Sequence, residues 1–130
     1  MNVTNQPEGG NPGAAAVWRW EELPVDHPMP RIDRRRVIGS QAMLSHVTLH
    51  AGFVVPPHQH ENEQFAVVLS GRMRFTLGPP NAERVVDVGA GEALHLPPNE
   101  RHGAEAIETS VVLDVFSPPS TTTGVDAVRG

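Results

Sequence analysis

The sequence contains no cysteine, no tyrosine and no lysine, because all ten of its basic residues are arginine. Without cysteine there can be no disulfide bond, no thiolate nucleophile and no thiolate-ligated zinc or iron–sulfur site. The absence of lysine excludes Schiff-base chemistry and the lysine of a phosphate-binding P-loop. The titratable side chains that remain are seven histidines, fifteen acidic residues and the arginines. Any catalysis by this chain therefore depends mainly on imidazoles and carboxylates.

Net charge and hydropathy argue against nucleic acid and membrane as binding partners. The formal net charge is -5, whereas a nucleic-acid-binding domain usually carries a basic face. We expect the local basic run to be a solvated strand edge; it consists of Arg31, Arg34, Arg35 and Arg36. No apolar stretch approaches the roughly 20 residues that cross a bilayer, and the polar N-terminus is unlike a secretory signal. We predict a cytoplasmic protein that binds a small-molecule substrate, no nucleic acid and no membrane.

The distribution of glycine and proline predicts the organisation of the chain. Its 130 residues are enough for a single domain, which we place at residues 17–119. Residues 1–16 and 120–130 show no apolar periodicity and are predicted to be flexible tails. Between them, seven short apolar stretches alternate with Gly/Pro turns and read as strands at 36–38, 43–50, 64–70, 72–77, 84–88, 93–96 and 110–116. This pattern predicts an all-β sandwich or barrel.

Two of these stretches carry unusual faces. In residues 64–70 both alternating faces are mostly apolar, so we expect the strand to be covered on both sides. Since a small barrel with an apolar outer face would expose a large patch, we expect a homodimer. In residues 110–116, Asp114 shares its face with Val112 and Phe116. A carboxylate inside an apolar strand requires a partner or a function.

Three histidines stand out from the rest. His58 and His60 are two residues apart, so on a strand their imidazoles project from one face and can converge on an ion. His102 follows a proline turn far downstream and offers a third imidazole. Gln64 shares strand parity with Ala66 and Val68, which favours it as a ligand, although Glu61 and Glu63 are rival ligands. We expect surface or structural roles for the remaining histidines, which are His27, His46, His50 and His95.

The spacing around these histidines resembles the two signature motifs of the cupin superfamily. The matching positions read Gly52-x5-His58-x-His60-x3-Gln64-x6-Gly71 and Gly91-x5-Pro97-x-Asn99-x2-His102. This resemblance implies a jelly-roll barrel of antiparallel strands. It also implies one divalent metal ion per chain, ligated by His58, His60, Gln64 and His102. The sequence departs from the family pattern at Gln64 (usually glutamate), Asn99 (glycine) and Ala106 (asparagine).

The glutamine at position 64 affects the chemistry that such a site can perform. Three imidazoles and an amide oxygen are all neutral, so a bound divalent ion would keep its full charge. That favours anionic ligands and strong Lewis acidity. The donor set accepts Zn²⁺, Ni²⁺, Mn²⁺ or Fe²⁺, and a vestigial cupin without metal is the alternative.

Further segments resemble the small single-domain cupins of pectin breakdown, which open 4,5-unsaturated galacturonate. These are residues 60–64, 67–71 and 112–119. The resemblance implies that Asp114 is the acid/base group and that Phe116 forms a wall of the sugar pocket. In that group an arginine usually follows the Ser-Pro-Pro segment, whereas Ser120 stands here. The candidates to replace it are Arg72, Arg74 and Arg101.

The resemblance thus implies a metal-dependent enzyme of the isomerase or lyase type. Its substrate would be small, carbonyl- or enol-forming and derived from carbohydrate, such as an unsaturated uronate. One alternative is a metal-dependent dioxygenase of an enol, a diketone or a flavonol-like compound. A second alternative is a non-catalytic cupin that binds a small ligand.

Overall fold

Nine β-strands make up almost all of the regular structure. The computed structural model describes residues 14–119. The strands are β1 (Ile32–Ile38), β2 (Met43–Leu49), β3 (Val54–His58), β4 (Glu63–Ser70), β5 (Arg72–Leu77), β6 (Arg84–Gly89), β7 (Glu92–Leu96), β8 (His102–Ala106) and β9 (Ser110–Ser117). A single 3₁₀ turn, Trp20–Glu22, precedes them. Across residues 14–119 no helix has the length and apolar character needed to cross a membrane.

The strands pair in two antiparallel sheets. One sheet has five strands in the order β1-β2-β9-β4-β7, and the other has four in the order β3-β8-β5-β6. Non-consecutive neighbours in both sheets mean that the chain crosses repeatedly from one sheet to the other, as in a jelly roll. This architecture confirms the predicted all-β jelly-roll barrel with antiparallel strands.

The core lies between the two sheets because strand alternation directs one set of apolar side chains inward. Val68 and Val112 from the five-stranded sheet meet Met73 and Phe75 from the four-stranded sheet, and all four are buried. Burial of each such side chain contributes about 1.5–3 kcal/mol. The inner face of β4 was correctly predicted to be covered. Its outer face is only partly covered within one chain, since Leu69 is 49% exposed.

The hairpin between β4 and β5 depends on Gly71. Its φ of +91° lies in the left-handed region. A Cβ at this position would come within 2.3 Å of the Ser110 hydroxyl oxygen, so no other residue fits without a backbone shift. The Ser110 hydroxyl in turn accepts the Arg72 backbone N–H at 2.9 Å. The hairpin is thereby attached to the start of β9.

Three sequence predictions differ from the structure. Strand β1 begins at Ile32 rather than at residue 36, and β3 and β8 were not predicted. The prediction that the basic run is a solvated strand edge was wrong for Arg34. This side chain is buried and donates two hydrogen bonds, at 2.9 and 2.7 Å, to the Asp26 carboxylate. Apart from residues 14–16, the predicted tails lie outside the described residues.

Candidate metal centre

Pairing of β3 with β8 brings two of the predicted histidines together. His58 ends β3 and His102 begins β8, and the two are partners in the antiparallel register. Their ring centroids are 4.5 Å apart. His60, in the loop after β3, lies 5.7 Å from the His58 ring and 5.1 Å from the His102 ring. The ligating atoms of all three lie within 4.8 Å of one another, a spacing that a single ion can bridge.

Backbone carbonyls fix the tautomer of each imidazole. The Nδ1–H groups of His58, His60 and His102 donate to carbonyl oxygens at 2.9, 3.0 and 2.8 Å, respectively. A carbonyl oxygen only accepts, so Nδ1 carries the proton and Nε2 keeps its lone pair. The Nε2 atoms of His58 and His60 are buried, and neither has a hydrogen-bond partner within the described region. This is the arrangement in which histidines ligate metals.

Two of these imidazoles, those of His58 and His102, are held in the neutral form. Burial lowers the pKa of His102 to about 4, more than the hydrogen bond to the Glu100 carbonyl raises it. Burial also lowers the pKa of His58. Both rings are therefore unprotonated near pH 7, as metal ligation requires.

Gln64 and Asp114 form a hydrogen-bonded pair beside the histidines. The Gln64 amide N–H donates to the Asp114 Oδ1 at 2.9 Å, which gives the carboxylate of β9 its partner. The Gln64 Oε1 is buried with no hydrogen-bond partner among residues 14–119. Desolvation raises the pKa of Asp114 to about 7, although the bond from Gln64 opposes this. Gln64, Asp114, His58 and His102 line one cavity.

The two carboxylates considered as alternative ligands, those of Glu61 and Glu63, are not part of the histidine cluster. Glu63 accepts a hydrogen bond from His95 at 2.6 Å, and His95 stacks on Phe65, which is 40% exposed. Glu61 is exposed. Among histidine, aspartate and glutamate side chains in the described region, the only group spaced to hold a metal is the histidine cluster. Gln64 is therefore the better candidate for a fourth ligand.

The two histidine-bearing segments are joined by the backbone. Asn99 has a φ of +66°, the left-handed conformation that an asparagine in place of glycine can adopt. Its N–H donates to the His60 carbonyl at 2.8 Å, which ties the turn before β8 to the loop after β3. Phe116 packs edge-on against His60, with ring centroids 5.9 Å apart. Three imidazoles and one orphaned amide oxygen fit a divalent ion.

A comparison with protein-family models identifies the chain. The model of the cupin domain matches residues 45–116, which run from β2 to β9 and include the whole cluster. This chain belongs to the cupin family. The motif resemblance noted from the sequence is thereby confirmed, and no curated protein matches this cupin at a significant level.

Solved structures of other cupins share the fold. KdgF from Halomonas sp. is 30% identical, with a TM-score of 0.71 over 81% of this chain and 96% of that one. An RmlC-like cupin from Shewanella frigidimarina is 20% identical, with a TM-score of 0.70 over 82% and 93% of the two chains. Oxalate decarboxylase from Bacillus subtilis, which has Mn(II) centres, is 18% identical, with a TM-score of 0.71 over 85% of this chain and 33% of its own. The last two likenesses show the fold alone.

The arginines proposed to hold a substrate carboxylate have other partners in this cupin. Arg72 and Arg74 form salt bridges with Asp87 across β5 and β6. Arg101 donates to Glu83 at 2.7 Å. None of the three lines the cavity at the histidines, and Ser120 lies outside the described residues.

Sequence reasoning missed two features of the site. Asn62 is buried, its carbonyl accepts the Nδ1–H of His60, and its side-chain amide donates to the Pro118 carbonyl. The cavity itself, about 70 Å³ in volume, is lined by ten apolar and four polar side chains. Neither feature has a signal in the sequence, because both depend on how the two sheets pack.

Proposed function

We propose that this cupin binds one divalent metal ion through His58, His60, His102 and Gln64. The observation that carries the proposal is that three buried acceptor atoms of these side chains have no hydrogen-bond partner among the described residues: the Nε2 atoms of His58 and His60 and the Oε1 of Gln64. A buried polar atom left without a hydrogen bond costs about 1–3 kcal/mol. An ion at the centre of the cluster would satisfy all of them at once.

We further propose that the protein is an enzyme acting on a small carbonyl- or enol-forming substrate. A divalent ion in this position supplies Lewis acidity toward a substrate oxygen. Among the described residues, Asp114 is the only carboxylic acid that lines the cavity, and its Oδ1 is held by Gln64. Its second oxygen is then free of that bond and can take up or deliver a proton at substrate carbon or oxygen.

The first candidate reaction is ring opening of an unsaturated uronate, an isomerase- or lyase-type step in carbohydrate breakdown. It is supported by the residue pattern shared with the pectin-breakdown cupins and by 30% identity to KdgF over nearly all of that chain. Phe116, which packs against His60, would form a wall of the sugar pocket. A cytoplasmic location also belongs to this proposal.

A second candidate is a metal-dependent dioxygenase of an enol or diketone. The apolar lining of the cavity favours it, because Phe53, Met73 and Phe75 offer a carbohydrate acid no hydrogen-bonding side chain. No arginine among the described residues lines the cavity to pair with a uronate carboxylate.

The metal proposal is tested by His58→Ala. This variant should lose the metal that the wild-type protein retains through desalting, measured by elemental analysis. His46→Ala is the matched control, since His46 lies in β2 and its ring contacts Trp20, away from the cluster. Equal metal content in the wild-type protein and the His58 variant would refute the proposal.

Oxygen dependence separates the reactions. Anaerobic turnover of 4,5-unsaturated galacturonate by the metal-loaded protein would identify the ring-opening reaction. Oxygen uptake with enols or diketones, followed on an oxygen electrode, would identify the dioxygenase. Ligand binding without either reaction would show a binding protein and refute the enzymatic proposal.

A further inference from the structure

The cavity extends from the histidine cluster into the apolar core. At one end it is lined by His58, His102, Gln64 and Asp114. Its other walls come from both sheets and include Val47 and Val112 on one side and Met73 and Phe75 on the other. A group bound at the histidines therefore has a space directly beside it whose remaining walls offer no hydrogen-bonding side chain.

The size of this space sets what can enter it. Apolar cavities of about 150 Å³ in protein cores stay dry and bind benzene, which corresponds to about 25 Å³ per carbon atom. The whole cavity, including the end at the histidines, has a volume of about 70 Å³ and therefore has room for at most about three carbon atoms. Water gains little beside the apolar walls, since a buried water needs two to four polar partners and the polar side chains that line the cavity are those at the histidine end.

We infer that the apolar part of this cavity is a subsite for a small alkyl group, of up to about three carbons, carried next to the oxygen that binds at the histidine cluster. The inference rests on the proposed metal site and names the substrate class for it: a carbonyl or enol compound with a short apolar substituent. A uronate bears oxygen on most of its carbons and would leave this space unfilled. The subsite therefore favours the second candidate class of substrate over the first.

Val112 offers a graded test of the cavity. It is 2% exposed and lies on the inner face of β9. Val112→Ile adds one methylene and should make the cavity smaller. Val112→Ala removes two methyl groups and should make it larger. Both variants keep the residue apolar, so the disturbance to packing should be modest. Val85→Ile and Val85→Ala are matched controls, because Val85 is 59% exposed on β6.

Xenon probes the cavity without any metal. In the as-purified and the chelator-treated protein, we expect one xenon site beside Met73 and Phe75 in crystals under xenon pressure. Its occupancy should fall in Val112→Ile and stay unchanged in Val85→Ile. A wild-type cavity that takes no xenon, or one that holds ordered waters instead, would overturn the inference.

A series of straight-chain hydroxamates, from acetyl to hexanoyl, probes the subsite together with the metal. Affinity for the metal-loaded protein, measured by calorimetry, should rise about fourfold per methylene until the cavity is full and then level off. The plateau should come about one carbon earlier in Val112→Ile and later in Val112→Ala. A plateau that does not move with these variants would overturn the inference.

The two proposals fail in different ways. Failure of the wild-type protein to retain a metal ion, or no binding of acetohydroxamate to the metal-loaded protein, would contradict the metal site, and the xenon result would then decide on the cavity by itself. Tight binding of every hydroxamate with no dependence on chain length would support the metal site and refute the subsite.

Discussion

At the scale of single residues, one hydrogen bond links Gln64 and Asp114, two polar side chains that lie in otherwise largely apolar strands. The Gln64 amide donates to Asp114, so the amide oxygen is directed away from the carboxylate and is left without a hydrogen-bond partner. Strand parity placed Gln64 on one face with Ala66 and Val68, but it did not predict the hydrogen bond to Asp114. The spacing of His58, His60 and His102 did predict which imidazoles come together.

Asp114→Asn should separate proton transfer from metal binding. The asparagine oxygen still accepts the Gln64 N–H, so the orientation of Gln64, the metal content and the fold should stay as in the wild-type protein. Loss of the titrating carboxyl group should lower kcat by about 10²–10⁴-fold. Steady-state kinetics on whichever substrate turns over, with elemental analysis of the same sample, measures both. Unchanged kcat would remove Asp114 from the mechanism.

At the scale of elements, the two strands that sequence reasoning missed, β3 and β8, carry two of the three clustered histidines, His58 and His102. Strand β3 contains Pro56 and Pro57, which the ladder tolerates because β3 is the edge strand of its sheet. Strand β8 consists of small and polar residues with little intrinsic β preference, and it is held by neighbours on both sides. Tertiary pairing forms these strands, so local patterns cannot reveal them.

Gly103→Ala should test how closely β3 must approach β8. A Cβ on Gly103 would lie 3.0 Å from the Pro57 nitrogen and 3.1 Å from the Val55 carbonyl oxygen, both backbone atoms. Moving them shifts the strand that ends at His58. We expect a loss of about 1–3 kcal/mol in the free energy of unfolding, measured with urea, and weaker metal retention.

Gly89→Ala is the matched control for this strand contact. A Cβ on Gly89 would meet its nearest atom, the Glu92 Oε1, at an ordinary 3.8 Å. Its unfolding free energy should stay within about 0.5 kcal/mol of the wild-type value. Equal stability of the two variants would show that β3 can move away from β8 at little cost.

At the scale of the whole molecule, the motifs and strand periodicity together predicted the jelly roll, and the shape of its interior followed only from packing. The cavity is formed by side chains that are distant in sequence from His102, including Leu49 in β2 and Phe53 in the turn before β3. Arg34 shows the same limit, since its burial depends on Asp26 in the segment before β1. Periodicity assigns a face to a residue but not the partner across it.

The sequence also predicts a homodimer as the oligomeric state of the whole molecule. The outer face of β4 leaves Phe65 and Leu69 40% and 49% exposed in one chain. If a second copy covers this face in a homodimer, Leu69→Glu buries a charge there and should weaken dimerisation about 30-fold or more. Val85→Glu, on exposed β6, should dimerise like the wild-type protein. Sedimentation velocity over a range of concentrations measures this, and a wild-type protein that stays monomeric throughout would contradict the prediction.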